Sequence, residues 1–139
     1  MILRNGTFYS ILLSVFIFSN IQAQEVKYLN EILPESFKEN VTVEKLSSDK
    51  NQSSYLIWVN DSVKPHYHKK HSEFIYIVEG GGTFYLGSRI IEMKKDGFIL
   101  LPEGIIHSFK YKIGETTKVL SVQTPEFFGK DHFWVEKKE

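Results

Sequence analysis

His66 and His68 are separated by a single residue. On an extended strand, residues i and i+2 point to the same face, so both imidazoles can reach one point. Pro65, just before them, fixes the entry of the chain. Glu73 opens the apolar run Glu73 to Glu79, in which Glu73, Ile75 and Ile77 share one face. Further on, Pro102-Glu103-Gly104 makes a turn, and His107 opens another run with Phe109 and Tyr111 on its own face. Three neutral imidazoles and one carboxylate are a ligand set for a borderline divalent metal: Fe, Mn, Ni, Cu or Zn. The chain has no Cys, so no thiolate can bind metal or act as a nucleophile, and no disulfide can form.

The elements that must position these residues read as short strands. After residue 40 the sequence is a series of β-type runs broken by Gly, Asn, Asp and Pro. The runs are 41–46, 54–59, 73–79, 83–86, 89–93, 98–101, 107–112 and 118–124, with Gly87-Ser88 as a two-residue hairpin signal. No stretch beyond residue 40 has the period of a long amphipathic helix, which argues against an α/β sheet. The expected class is therefore all-β, a sandwich or barrel. Before it, Val26, Leu29, Ile32, Leu33 and Phe37 surround Pro34. That pattern predicts a short irregular or helical segment rather than one long helix.

The spacing of the candidate ligands resembles the cupin superfamily. The first cupin motif is Gly, five residues, His-x-His, three or four residues, Glu, six residues, Gly. Here Asn60, His66, His68, Glu73 and Gly80 keep the spacing, with Asn60 in place of the first Gly. The second motif is Gly, five residues, Pro-x-Gly, two residues, His, three residues, Asn. Here Asp96, Pro102, Gly104, His107 and Tyr111 keep it, with Asp96 for Gly and Tyr111 for Asn. Gly97 follows Asp96, so the turn is expected to be rebuilt one residue later.

The resemblance implies a double-stranded β-helix, a small jelly-roll barrel of two antiparallel sheets with one metal ion inside. It places His66, His68, Glu73 and His107 around that metal. It also implies a small-molecule ligand and a homodimer. It does not name a reaction, because cupins include oxygenases, isomerases, lyases and non-catalytic ligand sensors. Two functions follow as alternatives: a metal-dependent enzyme on a small organic molecule, or a binding module for a carbohydrate or organic acid.

Other residues have plainer readings. Phe109 and Tyr111 are the best candidates for substrate-binding walls, because they share the face of His107; Tyr76, Tyr85 and Phe98 are weaker ones. The Tyr111 hydroxyl is expected to point at the ligand or a metal-bound water, narrowing the pocket. His71, in the loop Lys69-Lys70-His71-Ser72, reads as a solvated residue, and Lys69 and Lys70 as surface charge. His132 fits no ligand spacing. The aromatic tail 125–134 could close the barrel end or form a dimer contact. The sequons at Asn40, Asn51 and Asn60 read as turn chemistry.

Composition agrees with one folded domain. The chain has 139 residues, 42% of them hydrophobic and 24% charged, with formal net charge zero. No basic stripe appears, which argues against nucleic acid as a partner. Residues 1–23 differ from the rest: Arg4, the apolar run Ile11 to Phe18, then a stretch ending on Ala23. That layout predicts a cleaved signal peptide, too short for a membrane span, followed by a single domain over 24–139 in the periplasm or outside the cell. With no Cys after the apolar run, no lipoprotein anchor is expected.

Overall fold

The computed structural model describes residues 26–38, 40–111, 114 and 116–135. The expected leader, 1–23, lies outside them. Ten strands follow one another: β1 (Val41–Ser48), β2 (Ser53–Val59), β3 (Ser62–Tyr67), β4 (Ser72–Glu79), β5 (Gly81–Leu86), β6 (Arg89–Lys94), β7 (Phe98–Leu101), β8 (His107–Tyr111), β9 (Thr117–Thr124) and β10 (Phe133–Trp134). They form two five-stranded antiparallel sheets, in the orders β1-β2-β9-β4-β7 and β10-β3-β8-β5-β6. No helix occurs among the described residues; the segment before β1 is irregular with a turn at residues 29–31. The two strands without a clear apolar run in the sequence are β3, which carries Lys64 and Pro65, and the two-residue β10.

Alternation builds the core between the sheets. On β4 the inward residues are Glu73, Ile75 and Ile77, as the period of two requires. Their neighbours inside are Val59, Phe84, Met93, Leu101, Phe109 and Val119. Behind the first sheet, Leu56, Trp58 and Val78 form a second cluster, covered by Leu29 and Ile32 of the N-terminal segment. Lys118 is buried there. Its ammonium donates to the Ile32 carbonyl at 2.8 Å, lies 3.6 Å from Glu79 and sits 5.5 Å above the Trp58 ring. A buried cation needs such partners, and these tie the N-terminal segment to the sheet.

The two turn positions that depart from the cupin pattern behave differently. Asp96 is itself left-handed, at φ 68°, a region that glycine enters most freely. The turn is not rebuilt at Gly97. Asp tolerates this region better than most residues, and the Tyr76 hydroxyl donates to its carboxylate at 2.7 Å. Asn60 instead works through its side chain, which accepts from the Thr116 hydroxyl at 2.9 Å. Gly80 retains a positive φ of 73°, and a Cβ there would meet the Thr116 carbonyl at 2.8 Å. The chain can therefore pass from β4 in one sheet to β5 in the other only with glycine at this point.

Candidate metal centre

Three strands and one strand end converge on a single point. His66 lies near the end of β3, opposite His107 at the start of β8. His68 is one residue beyond β3, and Glu73 is the second residue of β4. All four side chains are buried, and one donor atom from each lies within 4.8 Å of the others. The His66 and His107 ring centroids are 4.1 Å apart.

Hydrogen bonds fix which atoms face that point. His66 Nδ1 lies 2.8 Å from the Lys64 carbonyl, His68 Nδ1 lies 2.5 Å from the Asp131 carbonyl, and His107 Nδ1 lies 2.9 Å from the Ile105 carbonyl. A carbonyl only accepts, so each Nδ1 carries the hydrogen and each Nε2 keeps its lone pair. The carboxylate is held the same way. Glu73 Oε1 accepts from the Ser121 hydroxyl at 2.5 Å and from the Gln123 amide at 3.4 Å. That leaves Oε2, 3.5 Å from both His68 Nε2 and His107 Nε2.

The site fits a divalent cation on its own chemistry. His107 Nε2 is buried without a hydrogen-bond partner. At 3.5 Å its contact with Glu73 is attractive but longer than a formed hydrogen bond. An orphaned buried polar atom costs about 1–3 kcal/mol, a cost that a shared cation removes. Burial would raise the Glu73 pKa, but contacts with His107 and His68 and the Ser121 hydrogen bond outweigh it and hold the carboxyl far below its usual range. Burial first, and repulsion from His107 second, push His66 down to about 3. Glu73 is thus a carboxylate and His66 neutral, the forms that coordinate metal. His68 differs. Burial pulls its pKa down, yet the bonds to Glu73 and to the Asp131 carbonyl raise it above the ordinary 6.5.

The donors open on a cavity of about 190 Å³ between the sheets. Its walls are mainly apolar: Val43, Ile57, Val59, Ile75, Phe84 and Phe109 among others. The C-terminal segment 125–135 closes one side. Phe127 packs edge-on against His68 and His71, and β10 pairs with β3 so that Trp134 lies opposite His66. Asp131 is the knot of this strap. Its carbonyl holds His68, and its carboxylate accepts from the Lys69 amide at 3.1 Å, the Lys70 amide at 2.8 Å and His71 Nδ1 at 2.6 Å.

A model of the cupin domain matches residues 54–123, just over half of the chain. The chain belongs to the cupin family. This cupin is 29% identical over 115 residues to an uncharacterized protein of Aquifex aeolicus (strain VF5), a match spanning 81% of this chain and 94% of that one. It is 27% identical over 89 residues to quercetin 2,3-dioxygenase of Bacillus subtilis (strain 168), spanning 60% of this chain but 26% of the dioxygenase. In structure it resembles an uncharacterized conserved protein with a double-stranded beta-helix domain from Klebsiella pneumoniae subsp. pneumoniae MGH 78578, with TM-score 0.68. Identity there is 13%, and the match covers 82% of this chain and 99% of that one. At such identity the likeness carries the fold alone.

Against the residues expected from the sequence, the cupin brings His66, His68, Glu73 and His107 together. Phe109 lines the cavity. Tyr111 is not among the lining residues; it is half-buried and packs against the edge of the core. It shares the face of His107 but stands four residues along the strand, roughly 13 Å away at the usual rise, so the same face does not mean the same cavity. Nor are Tyr76, Tyr85 or Phe98 among the lining residues; Phe98 is 68% exposed. His71 is not solvated. It is buried, with Nδ1 on the Asp131 carboxylate and Nε2 3.0 Å from the Glu126 carbonyl. Lys69 and Lys70 are exposed as expected, with the Lys69 ammonium 4.2 Å from the Phe133 ring centroid.

Sequence reasoning missed Ser121, Gln123, Asp131 and His132. The first two were legible as inward positions of β9, two apart and in step with Val119. The last two depend on a pairing that a two-residue strand cannot announce.

Two outcomes follow. Asp131→Ala keeps the backbone carbonyl that accepts from His68 Nδ1 but removes the carboxylate that pins it to Lys69, Lys70 and His71. The strap loosens and the His68 ring is held less firmly, so zinc binding should weaken by about 10-fold, the low end of the scale for a disturbed partner of a ligand. Competition titration should show this with the circular dichroism of the fold retained. Zinc affinity should also fall on acidification, with His68 taking up the first proton because its pKa lies above the ordinary value while His66 stays neutral. Equal affinity at about pH 8 and about pH 5 would contradict imidazole ligation.

Proposed function

We propose that this cupin is an exported metal-dependent enzyme, periplasmic or secreted, that acts on a small organic molecule. The observation that carries the reading is the preset donor group, with three Nδ1 atoms and Glu73 Oε1 already engaged so that three Nε2 atoms and Oε2 remain for one ion. The imidazole and carboxylate set suits Fe, Mn, Ni, Cu or Zn. A metal held there supplies Lewis-acid or redox chemistry, with coordination positions left over beyond the four protein donors.

The chain's own residues do the rest. Apolar walls exclude water and strengthen electrostatic contacts at the site. Phe109 shapes the floor of the cavity, and the strap carrying Phe127 and Asp131 closes its side. The quercetin 2,3-dioxygenase relative shows that at least one protein of similar sequence carries an enzyme's name. The second reading is a binding module for a small carbohydrate or organic acid. It is favoured by the scarcity of acid or base groups in the cavity apart from the ligands and His132.

Export is supported by the three-part layout of residues 1–23. A homodimer would find an apolar strip on the outer face of the β4–β7 edge, where Phe98 stacks on Phe74 beside the exposed Leu100.

Protein purified from its own host should carry about one divalent transition metal per chain by elemental analysis, and His107→Ala should lose most of it while remaining folded. Iron or manganese accompanied by turnover supports the enzyme; a tightly held ligand without turnover supports the binding module. No metal under metal-replete conditions contradicts the metal centre and with it the enzyme. Mass spectrometry of the same preparation should show a chain starting at or near Gln24, and an intact Met1 would contradict export.

A further inference from the structure

A fifth imidazole reaches the cavity without belonging to the donor group. His132 lies on the strap, just before β10, and lines the inner cavity. Its ring centroid is 4.0 Å from that of His66, 5.5 Å from that of His68 and 4.2 Å from that of Trp134. Its Nε2 is buried and has no hydrogen-bond partner. It stands outside the four donors that lie within 4.8 Å of one another.

His132 also borders a second space, an open groove of about 770 Å³ lined by Asn40, Ser62, Lys64, Pro65 and Trp134. Val41, Val63 and His132 are common to the groove and the inner cavity. These three residues therefore form the threshold between them. Trp134, 58% exposed, stands on the outer side with its ring at 35° to that of His132.

We propose that His132 is the ligand-recognition residue of this cupin and that the groove is the ligand's entry. A buried imidazole nitrogen with no partner in the protein calls for one from the ligand. The same ligand must present a donor oxygen to the four-residue centre. A molecule that meets both demands carries two oxygens, one for the centre and one for His132 Nε2, and two on neighbouring carbons are the simplest such pair. Both faces of the His132 ring are covered, by His66 at 4.0 Å and Trp134 at 4.2 Å, so a ligand meets its edge, and the apolar walls of the inner cavity select a small, flat body there. A dihydroxyaromatic or enediol has this chemistry. The inference rests on the metal-centre reading, and its test separates the two.

The probes are catechol and phenol, which differ by the second oxygen, titrated into the zinc-loaded full chain by calorimetry after zinc content is measured. Wild type should prefer catechol. His132→Phe keeps a ring between His66 and Trp134 but loses Nε2. It should keep its zinc, bind phenol as before and lose about five- to tenfold of its catechol affinity, the scale of one hydrogen bond. His132→Gln should recover part of that loss. In wild type, the His132 ring ¹⁵N shifts should respond to catechol and not to phenol, a readout that needs no variant.

Wild type that takes up no zinc sinks the metal-centre reading itself. Zinc-loaded wild type that binds neither probe or does not prefer catechol overturns the role of His132 and leaves the metal centre standing. So does a His132→Phe chain with its preference intact. Loss of zinc in His132→Phe also overturns recognition, because His132 would then serve the metal.

Discussion

The centre depends on backbone carbonyls. Those of Lys64, Ile105 and Asp131 each take the Nδ1 hydrogen of one imidazole. Two of these bonds are local, from a histidine to the residue two before it, so the strand geometry of β3 and the turn before β8 set them. The third comes from Asp131, far along the chain. Tautomer, ring orientation and lone-pair direction all follow from these bonds. A ligand set that had to be organised by the metal would lose ordering entropy on binding; here folding has already met that cost.

The carboxylate side uses the other sheet. Glu73 on β4 lies opposite Gln123 on β9, and Ser121 is two residues away on the same face. The candidate metal site is therefore a seam between the two sheets: His66 and His107 from one, Glu73 and its supporting residues from the other. Core packing of Ile75, Ile77, Phe84 and Phe109 holds that seam. The strap adds a third constraint, because Asp131 links the loop Lys69 to His71 with the His68 ring.

What could be read from the sequence divides along physical lines. The period of two placed Glu73, Ile75 and Ile77 inward. The spacing of His66, His68, Glu73, Gly80, Pro102, Gly104 and His107 carried the family and its donor set. Residues whose roles come from long-range pairing were not legible. His132 and Asp131 enter through β10, whose two residues give no periodic signal. His71 looked solvated because it sits between charged and polar neighbours, yet a carboxylate 60 residues away buries it. Tyr111 shows the converse limit: alternation gives a side chain's face but not how far along the barrel the cavity extends. Asp96 shows that a family glycine can be replaced where the substitute tolerates a left-handed backbone.

The donor geometry implies one ion bound by three imidazoles through Nε2 and by one carboxylate. X-ray absorption of the zinc-loaded chain tests it most directly, because imidazole rings give characteristic outer-shell scattering. A single zinc environment is expected, with nitrogen and oxygen neighbours at roughly 2.0–2.2 Å and outer-shell scattering from three imidazoles. A spectrum with oxygen neighbours alone, or with no imidazole contribution, would contradict it.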